Sequence, residues 1–474
     1  MVKYVNLWKR NQATGSTARP ARPQDLQDLQ DLQDRKTCKT ARQLIMTYKE
    51  TLDFLYSQLP AYHRIGKAAY KDNLNNTLAL DEYFGYPHRK YMTIHVAGTN
   101  GKGSVSHMIA SVLQEAGYRT GLYTSPHLKD FRERIKINGE MIGEKAVVSF
   151  AEDHSRIIES INPSFFELSV AMAFSYFALK DIDIAVVEVG LGGRLDSTNI
   201  ISPIISLITN IGHDHMDLLG NTLAKVAREK AGIIKNGIPV VIGESKPETH
   251  DVFVSAAKHS MSDIYFAEAS CLCKLGDMKS DMSGRSYSLH ETTTNKCISG
   301  IIPLAGDYQQ VNLRTLFQLF SCLKVKLRLN ERDMTDGISN VIKNTGLQGR
   351  WQILRRDPLV ICDTGHNPEG LEYVMNQVRQ VPATKRHMII GFVSDKDLNS
   401  ILPLFPADAE YYFAKAAVPR AMNENILKAE ASRFGLHGNS YMSVNEAFKS
   451  ALALADPTDL IFIGGSTFVV AEVI

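Results

Sequence analysis

Thr93-Ile-His-Val-Ala-Gly-Thr-Asn-Gly-Lys-Gly-Ser104 decides how the chain is read. Apolar Ile94 and Val96 stand at strand spacing, and Gly98, Gly101 and Gly103 then turn the chain toward Ser104-Val-Ser-His-Met-Ile-Ala-Ser-Val-Leu-Gln-Glu-Ala-Gly117. There Met108, Val112 and Leu113 recur at helical spacing, and Gly117 fits a C-cap. A strand, a glycine turn and a helix N-terminus make an anion site, because backbone N–H groups point inward and the helix end adds positive potential. Lys102 supplies a mobile cation for the terminal phosphates of a nucleotide, and Ser104 a hydroxyl near a bound Mg²⁺. The spacing departs from the usual phosphate loop: Gly98 stands two residues before Gly101-Lys102, and Gly103 precedes the hydroxyl. The bland alternative, an ordinary turn with a surface lysine, leaves three entropically costly glycines without a purpose.

Downstream, Tyr118-Arg-Thr-Gly-Leu-Tyr-Thr-Ser-Pro-His-Leu-Lys-Asp130 reads as a strand ending at Thr124-Ser125-Pro126. A hydroxyl there can reach a metal at the carboxyl end of the sheet. A short ribbon follows at 131–139, and Phe165-Phe-Glu-Leu-Ser-Val-Ala-Met-Ala-Phe-Ser-Tyr-Phe-Ala reads as a buried helix. Asp183-Ile-Ala-Val-Val-Glu-Val-Gly190 is apolar except for Glu188, the pattern of a parallel strand buried on both faces. A carboxylate at such a place is costly unless paired or metal-bound. Mg²⁺ binding is the preferred role for Glu188, and a salt bridge to Arg194 the alternative. Pro203-Ile-Ile-Ser-Leu-Ile-Thr-Asn210 is a further strand, running into a ligand-capable cluster of His213, Asp214, His215 and Asp217. Lys230, fifteen residues beyond His215, reads by itself as a solvated surface lysine.

At 474 residues the chain is long enough for two domains. It is 44% apolar and 22% charged with a net charge of +2, which argues against a nucleic-acid footprint. Cys38, Cys271, Cys273, Cys297, Cys322 and Cys362 include no C-x-x-C pair, so they read as reduced thiols of a cytoplasmic protein, not disulfides or zinc ligands. Residues 1–45 differ from the rest. They hold the triplet repeat Gln24-Asp-Leu-Gln-Asp-Leu-Gln-Asp-Leu-Gln-Asp34, with Leu26, Leu29 and Leu32 three apart, but no apolar core of a signal peptide and no membrane span. This leader is expected to be disordered and the functional chain to begin at Met46.

Gly98-Thr-Asn-Gly-Lys-Gly-Ser104, Tyr123-Thr-Ser-Pro-His-Leu128, Glu188-Val-Gly-Leu-Gly-Gly-Arg-Leu-Asp196, the His215 turn and Glu229-Lys-Ala-Gly-Ile233 together resemble the folylpolyglutamate synthase/dihydrofolate synthase family, the folate branch of the Mur ligases. The resemblance runs from about residue 46 to the C-terminus. It implies that Gly98, Thr99, Asn100, Gly101, Lys102, Gly103 and Ser104 form an ATP phosphate loop. It also implies that Ser125 and Glu188 hold one Mg²⁺, that His215 holds a second, and that Lys230 is the lysine carbamylated in this superfamily. Ser164, Phe165, Leu195, Asp196 and Ser197 match pterin contacts, with Ser164 in place of the expected threonine.

The polar stretch 264–300 promises only poorly defined strands. Leu304-Ala-Gly-Asp-Tyr-Gln-Gln-Val-Asn312 resembles the family's Gly-x-His-Gln-x-x-Asn motif with Tyr308 where histidine is usual, and Asn312 matches an adenine contact. Residues 326–346 are expected to carry the crossing between domains. Gly346-Leu-Gln-Gly-Arg-Trp351 matches a loop whose arginine, here Arg350, binds ATP phosphate; Gln348 and Gln352 depart from the family's proline and glutamate. Asp363-Thr-Gly-His-Asn367 is a reshuffled form of Asp-Gly-Ala-His-Asn, in which Asp363 matches a nucleotide contact and His366 a residue near the incoming glutamate. Read without the family, Asp363–Pro368 is a helix-capping turn. Asp395-Lys-Asp397 and Gly464-Gly-Ser-Thr467 also look family-like but suggest no role.

The expected fold is α/β: a mostly parallel, P-loop-type nucleotide domain at 46–335, then a smaller Rossmann-like glutamate-ligase domain at 336–474. The expected activity is ATP-dependent addition of L-glutamate to a folate-type carboxylate through an acyl phosphate. The substrates would be tetrahydrofolate polyglutamates and dihydropteroate, with two Mg²⁺ ions, in a cytoplasmic monomer that engages neither membrane nor nucleic acid. A Mur-type ligase for another carboxylate, and a P-loop nucleotide-binding protein without ligase activity, are the competing readings.

Overall fold

The structure is a computed structural model that describes residues 46–59, 73–294 and 296–474; the expectations for residues 1–45 lie outside them. Its first sheet joins β1 (Met92–Ala97), β2 (Thr120–Tyr123), β3 (Ile135–Ile137), β4 (Glu140–Met141), β5 (Ile184–Glu188), β6 (Ile205–Ile208), β7 (Val240–Ile242) and β8 (Ile264–Phe266) in the order β4-β3-β2-β5-β1-β6-β7-β8. All neighbours pair in parallel except β2 with β3 and β3 with β4, where the ribbon expected after the Ser125 turn joins the sheet. β1 lies between β5 and β6, so the phosphate loop leaves the middle of the sheet. β5 is buried along its whole length, as its unbroken apolar run requires.

The helix Lys102–Glu115 covers one face of this sheet, and Phe165–Leu179, apolar nearly all round, covers the other. The stretch 264–300, expected to hold only poorly defined strands, contributes most of a regular antiparallel sheet of β9 (Cys271–Met278), β10 (Arg285–Glu291) and β11 (Cys297–Ile302). Its alternation buries Cys271, Cys273, Tyr287 and Leu289 with the helix Gln309–Leu323 in the core shared with the phosphate-loop helix.

A last sheet joins β12 (Gln352–Arg355), β13 (Leu359–Cys362), β14 (Arg386–Ile390), β15 (Glu410–Ala414), β16 (Gly438–Tyr441) and β17 (Leu460–Gly464) in the order β12-β13-β17-β14-β15-β16. Only β12 runs antiparallel. Asn367, Asp397, Asn423 and Ser443 each accept N–H groups at the starts of its helices.

Residues 326–346 do not cross between lobes. They contain the helices Glu331–Ser339 and Val341–Thr345, which pack on the phosphate-loop helix. Ser111 Oγ donates to Gly337 O (2.6 Å), and His107 Nδ1 lies 2.8 Å from Thr345 Oγ1. Lys136 on β3 donates to Thr345 O (2.7 Å), where a cation meets the negative end of the short helix. The expected division after residue 335 would cut through the first of these helices; the passage to the second sheet is the segment 346–351.

Candidate active site

The phosphate loop is shaped by close approaches that exclude side chains. At Gly98 (φ +147°) a Cβ would lie 1.8 Å from Thr209 Oγ1; at Gly101 (φ +84°), which opens the helix, it would lie 2.4 Å from Asn312 Oδ1. Asn312, expected at the adenine, therefore sits directly against the loop, with its Nδ2 donating to Gln309 Oε1 (2.7 Å). Thr209 Oγ1 donates to Asn100 O (2.6 Å), Asn100 N to Asn210 Oδ1 (2.8 Å), and Gly212 N to Thr99 Oγ1 (3.0 Å), so β6 and its following turn brace the loop. Ser104 Oγ is buried with no hydrogen-bond partner.

Two lysines share one acceptor. Lys102 Nζ folds back onto Gly98 O (2.9 Å) and Thr99 O (3.1 Å), and Lys230 Nζ donates to the same Gly98 O (2.8 Å). Lys230 is 4% exposed, which overturns its reading as a surface lysine. Burial, then the Lys102 charge, lowers its pKa to about 7.

Glu188 is buried beside the Ser125 turn and accepts Ser125 N (3.2 Å). The salt bridge to Arg194 is not made: Arg194 pairs with Glu229 (3.0 Å). Burial pushes the Glu188 carboxyl up to about 7, against the pull of Lys102, the Ser125 N–H and Arg350. A Cβ built on Gly103 would stand 3.8 Å from Glu188 Oε1 and 3.5 Å from Arg350 Nη2, so a carboxylate and a guanidinium flank the loop. Arg350, which also bonds Thr364 Oγ1, reaches this place from the second lobe.

Among the described residues no group of three or more His, Cys, Asp and Glu side chains converges as a metal site. The orphaned Ser104 hydroxyl and the charge-starved Glu188 fit a hard divalent cation that completes its shell with phosphate oxygens and water.

Between the lobes lies a cleft of about 1090 Å³. Ser125, Ser164, Phe165, Leu195, Asp196, Ser197, His215 and His366, taken from five separate stretches of sequence, all line it. Ser164 also caps its helix by accepting Glu167 N (3.2 Å). Asp196 folds its own turn, accepting Thr198 N (3.0 Å) and Leu191 N (2.8 Å). Burial lowers His215 to about 4, against the attraction of Asp214.

The His213–Asp217 cluster is largely an inter-lobe tie. Asp214 accepts Lys396 Nζ (2.8 Å) and lies 3.3 Å from His366 Nε2, and His213 Nδ1 is 2.9 Å from Glu369 Oε1. Burial alone would raise Asp214; the His366 hydrogen bond and the His215, His366 and Lys396 charges outweigh it and hold the carboxyl well below its usual range. Asn100 and Asn367 exchange amide hydrogen bonds (3.0 and 2.9 Å) while Asn367 also caps its helix, so the capping turn reaches the phosphate loop as well. Asp363, expected on the nucleotide, is 2% exposed and turned inward onto Tyr308, Trp351 N and Gly365 N. Sequence reasoning missed Lys396, whose partner lies 182 residues away. It also missed Arg134, which lines the cleft with its guanidinium 5.3 Å from the Phe165 ring and donates to His127 Nδ1.

Comparison with known proteins matches residues 96–316 to the Mur ligase middle domain and residues 349–467 to the Mur ligase glutamate ligase domain. The dihydrofolate synthase/folylpolyglutamate synthase of Bacillus subtilis is 33% identical over 393 residues, 80% of this chain and 87% of that protein. The chain belongs to the folylpolyglutamate synthase/dihydrofolate synthase family. Within that family, the chain spans half the length of a Haloferax volcanii relative described as a probable bifunctional folylpolyglutamate synthase/dihydropteroate synthase, at 29% identity and 90% of this chain. The E. coli FolC structure in complex with DHPP and ADP is 28% identical with a TM-score of 0.75, covering 91% of this chain and 98% of that one. A bifunctional folylpolyglutamate synthase/dihydrofolate synthase structure with Mn, AMPPNP and L-glutamate bound is 27% identical, with a TM-score of 0.76 and the same coverage. The two-lobed α/β architecture expected for the family is the one found.

Proposed function

We propose that this chain is an ATP-dependent ligase that joins L-glutamate to a folate-type carboxylate, both extending tetrahydrofolate polyglutamates and converting dihydropteroate to dihydrofolate. One observation carries the reading: a single cleft between the lobes is lined by the pterin-contact positions, by Ser125 and His215, and by His366. Relatives of this family bind a DHPP ligand, adenine nucleotides, Mn and L-glutamate.

In this reading the folate carboxylate attacks the γ-phosphorus of ATP, giving an acyl phosphate and ADP. The glutamate amine then displaces phosphate and leaves an amide. Such phosphoryl transfer needs positioning and charge neutralisation more than covalent help. Lys102 leaves the Gly98 and Thr99 carbonyls to meet the incoming phosphates, joined by Arg350 and the N–H groups of residues 98–104. Asn312 contacts the adenine. Ser164, Phe165, Leu195, Asp196 and Ser197 seat the pterin, and His366 stands near the glutamate. Ser125 and Glu188 hold one Mg²⁺ and His215 a second; these ions neutralise charge on the transferred phosphoryl group. Lys230 is carbamylated: burial supplies the neutral amine that combines with CO₂, and the product is an anion where two cations now compete for one carbonyl. The lobe from Met46 to about residue 345 binds nucleotide and pterin, and the lobe from Gln352 onward orients glutamate. We read the enzyme as a cytoplasmic monomer; no described helix is long and apolar enough to cross a membrane.

The test is ADP release with ATP, Mg²⁺ and L-glutamate, supplying dihydropteroate and tetrahydrofolate separately. ADP release indifferent to glutamate and to both folates would sink the ligase reading. Lys102→Ala is expected to abolish turnover with an unchanged circular dichroism spectrum.

A further inference from the structure

Tyr308 stands where the family motif usually has histidine, and its place in the structure is unusual for a residue of the nucleotide lobe. It immediately precedes the helix Gln309–Leu323, which carries Asn312 one turn later. Yet its ring packs against the hydrophobic core of the second lobe, a cluster that includes Trp351 and Leu371. Neighbouring residues are tied to the same lobe: Gln377 Nε2 donates to Ala305 O (2.9 Å), and Gln377 Oε1 accepts Asp307 N (2.8 Å).

The Tyr308 hydroxyl donates to Asp363 Oδ2 at 2.6 Å. The same Asp363 oxygen accepts Trp351 N (2.7 Å), and Oδ1 accepts Gly365 N (2.8 Å). Trp351 directly follows Arg350, and Gly365 directly precedes His366. One carboxylate therefore fixes the backbone beside Arg350, which flanks the phosphate loop, and beside His366, which lines the cleft, and the side-chain donor to it comes from the first lobe. A phenol reaches this acceptor from a half-buried backbone position and stays a donor across the physiological range, because burial and the Asp363 charge raise its pKa.

We propose that Tyr308 is a positioning residue: through Asp363 it couples the helix bearing Asn312 to Arg350 and His366, so that nucleotide seating and phosphate neutralisation are set together. The inference rests on the ligase reading above and on Arg350 meeting the transferred phosphate. Removing a buried hydrogen bond to a charged acceptor is worth about tenfold or more in an equilibrium or rate.

The experiment compares Tyr308→Phe, which keeps the ring and its packing, in two backgrounds. ADP release is referred to the concentration of sites that bind AMPPNP, so misfolded protein drops out. In the otherwise unaltered chain Tyr308→Phe is expected to lower kcat about tenfold while leaving KM for the folate substrate within about twofold. In an Arg350→Lys background, where the positioned group is already displaced, the same change is expected to cost less than about threefold. An unchanged kcat, a loss confined to KM for folate, or equal losses in both backgrounds would overturn the proposal. If the unaltered chain releases ADP without needing glutamate, the ligase reading fails, and the two-background comparison still decides the role of Tyr308 from ADP release alone.

Discussion

Lys230 is held as an enclosed amine that donates to Gly98 O, next to a second lysine on the same oxygen. Its pKa falls from 10.5 to about 7 on folding. Between those values, for the unmodified amine, the unfolded chain carries the proton and the folded chain does not, so before carbamylation this residue makes stability rise with pH from about 7 to about 10.5. Below that window its burial penalty is present in full. Lys230→Met should therefore be more stable than the parent at pH 6.5, by a margin that shrinks at up to about 1.4 kcal/mol per pH unit as the medium becomes alkaline. Urea titrations of both proteins across this range check it; parallel pH profiles would show that Lys230 keeps its proton. Mass spectrometry of the native chain, seeking the mass of one added CO₂ that Lys230→Met lacks, tests carbamylation separately.

At the scale of elements, His107 and Ser111 tie the phosphate-loop helix to the helices Val341–Thr345 and Glu331–Ser339 respectively, and Lys136 of β3 ties the end of Val341–Thr345 into the same joint. Lys136→Met keeps the apolar stem but removes the donor from the buried Thr345 carbonyl, at a cost of about 1–3 kcal/mol. Faster amide exchange at residues 346–351, with little change in β5, is the expected signature; uniform acceleration would mean that the joint is not local. The sequence told strands from helices well where one period ruled. β5 read as a buried parallel strand and β6 as a further strand, and Asn367 caps a helix where the turn Asp363–Pro368 announced one. It failed where packing partners decide. The antiparallel sheet of β9–β11 has polar, unevenly apolar strands whose buried face shows only once the helix Gln309–Leu323 lies on it. The helices at 331–345 looked like a linker because the polar face of so short a segment dominates its composition. At the site, the glycine loop and Glu188 announced themselves by their cost. Lys396 did not, since a lone cation in a loop gives no sign of a partner 182 residues away, and Arg134 did not, since the short turn that carries it shows no face of its own.

For the molecule as a whole, the lobes meet through Asn100 with Asn367, Asp214 with His366 and Lys396, and His213 with Glu369. Lys396→Met removes the ion pair with the half-buried Asp214. It should raise the radius of gyration of the ligand-free protein in small-angle scattering and speed proteolysis near residues 346–351, with both effects reversed by AMPPNP. An unchanged scattering profile would place the closure elsewhere. Among the described residues, no backbone–backbone hydrogen bond joins the two sheet systems, and the chain passes between them once. Parting them breaks no ladder; it exchanges ion pairs, amide contacts and a modest apolar seam for hydration. The resting aperture of such a cleft answers to the solvent. Because the tie between Asp214 and Lys396 is ionic, the Debye length of the medium becomes a dial on how far this protein gapes before its substrates arrive.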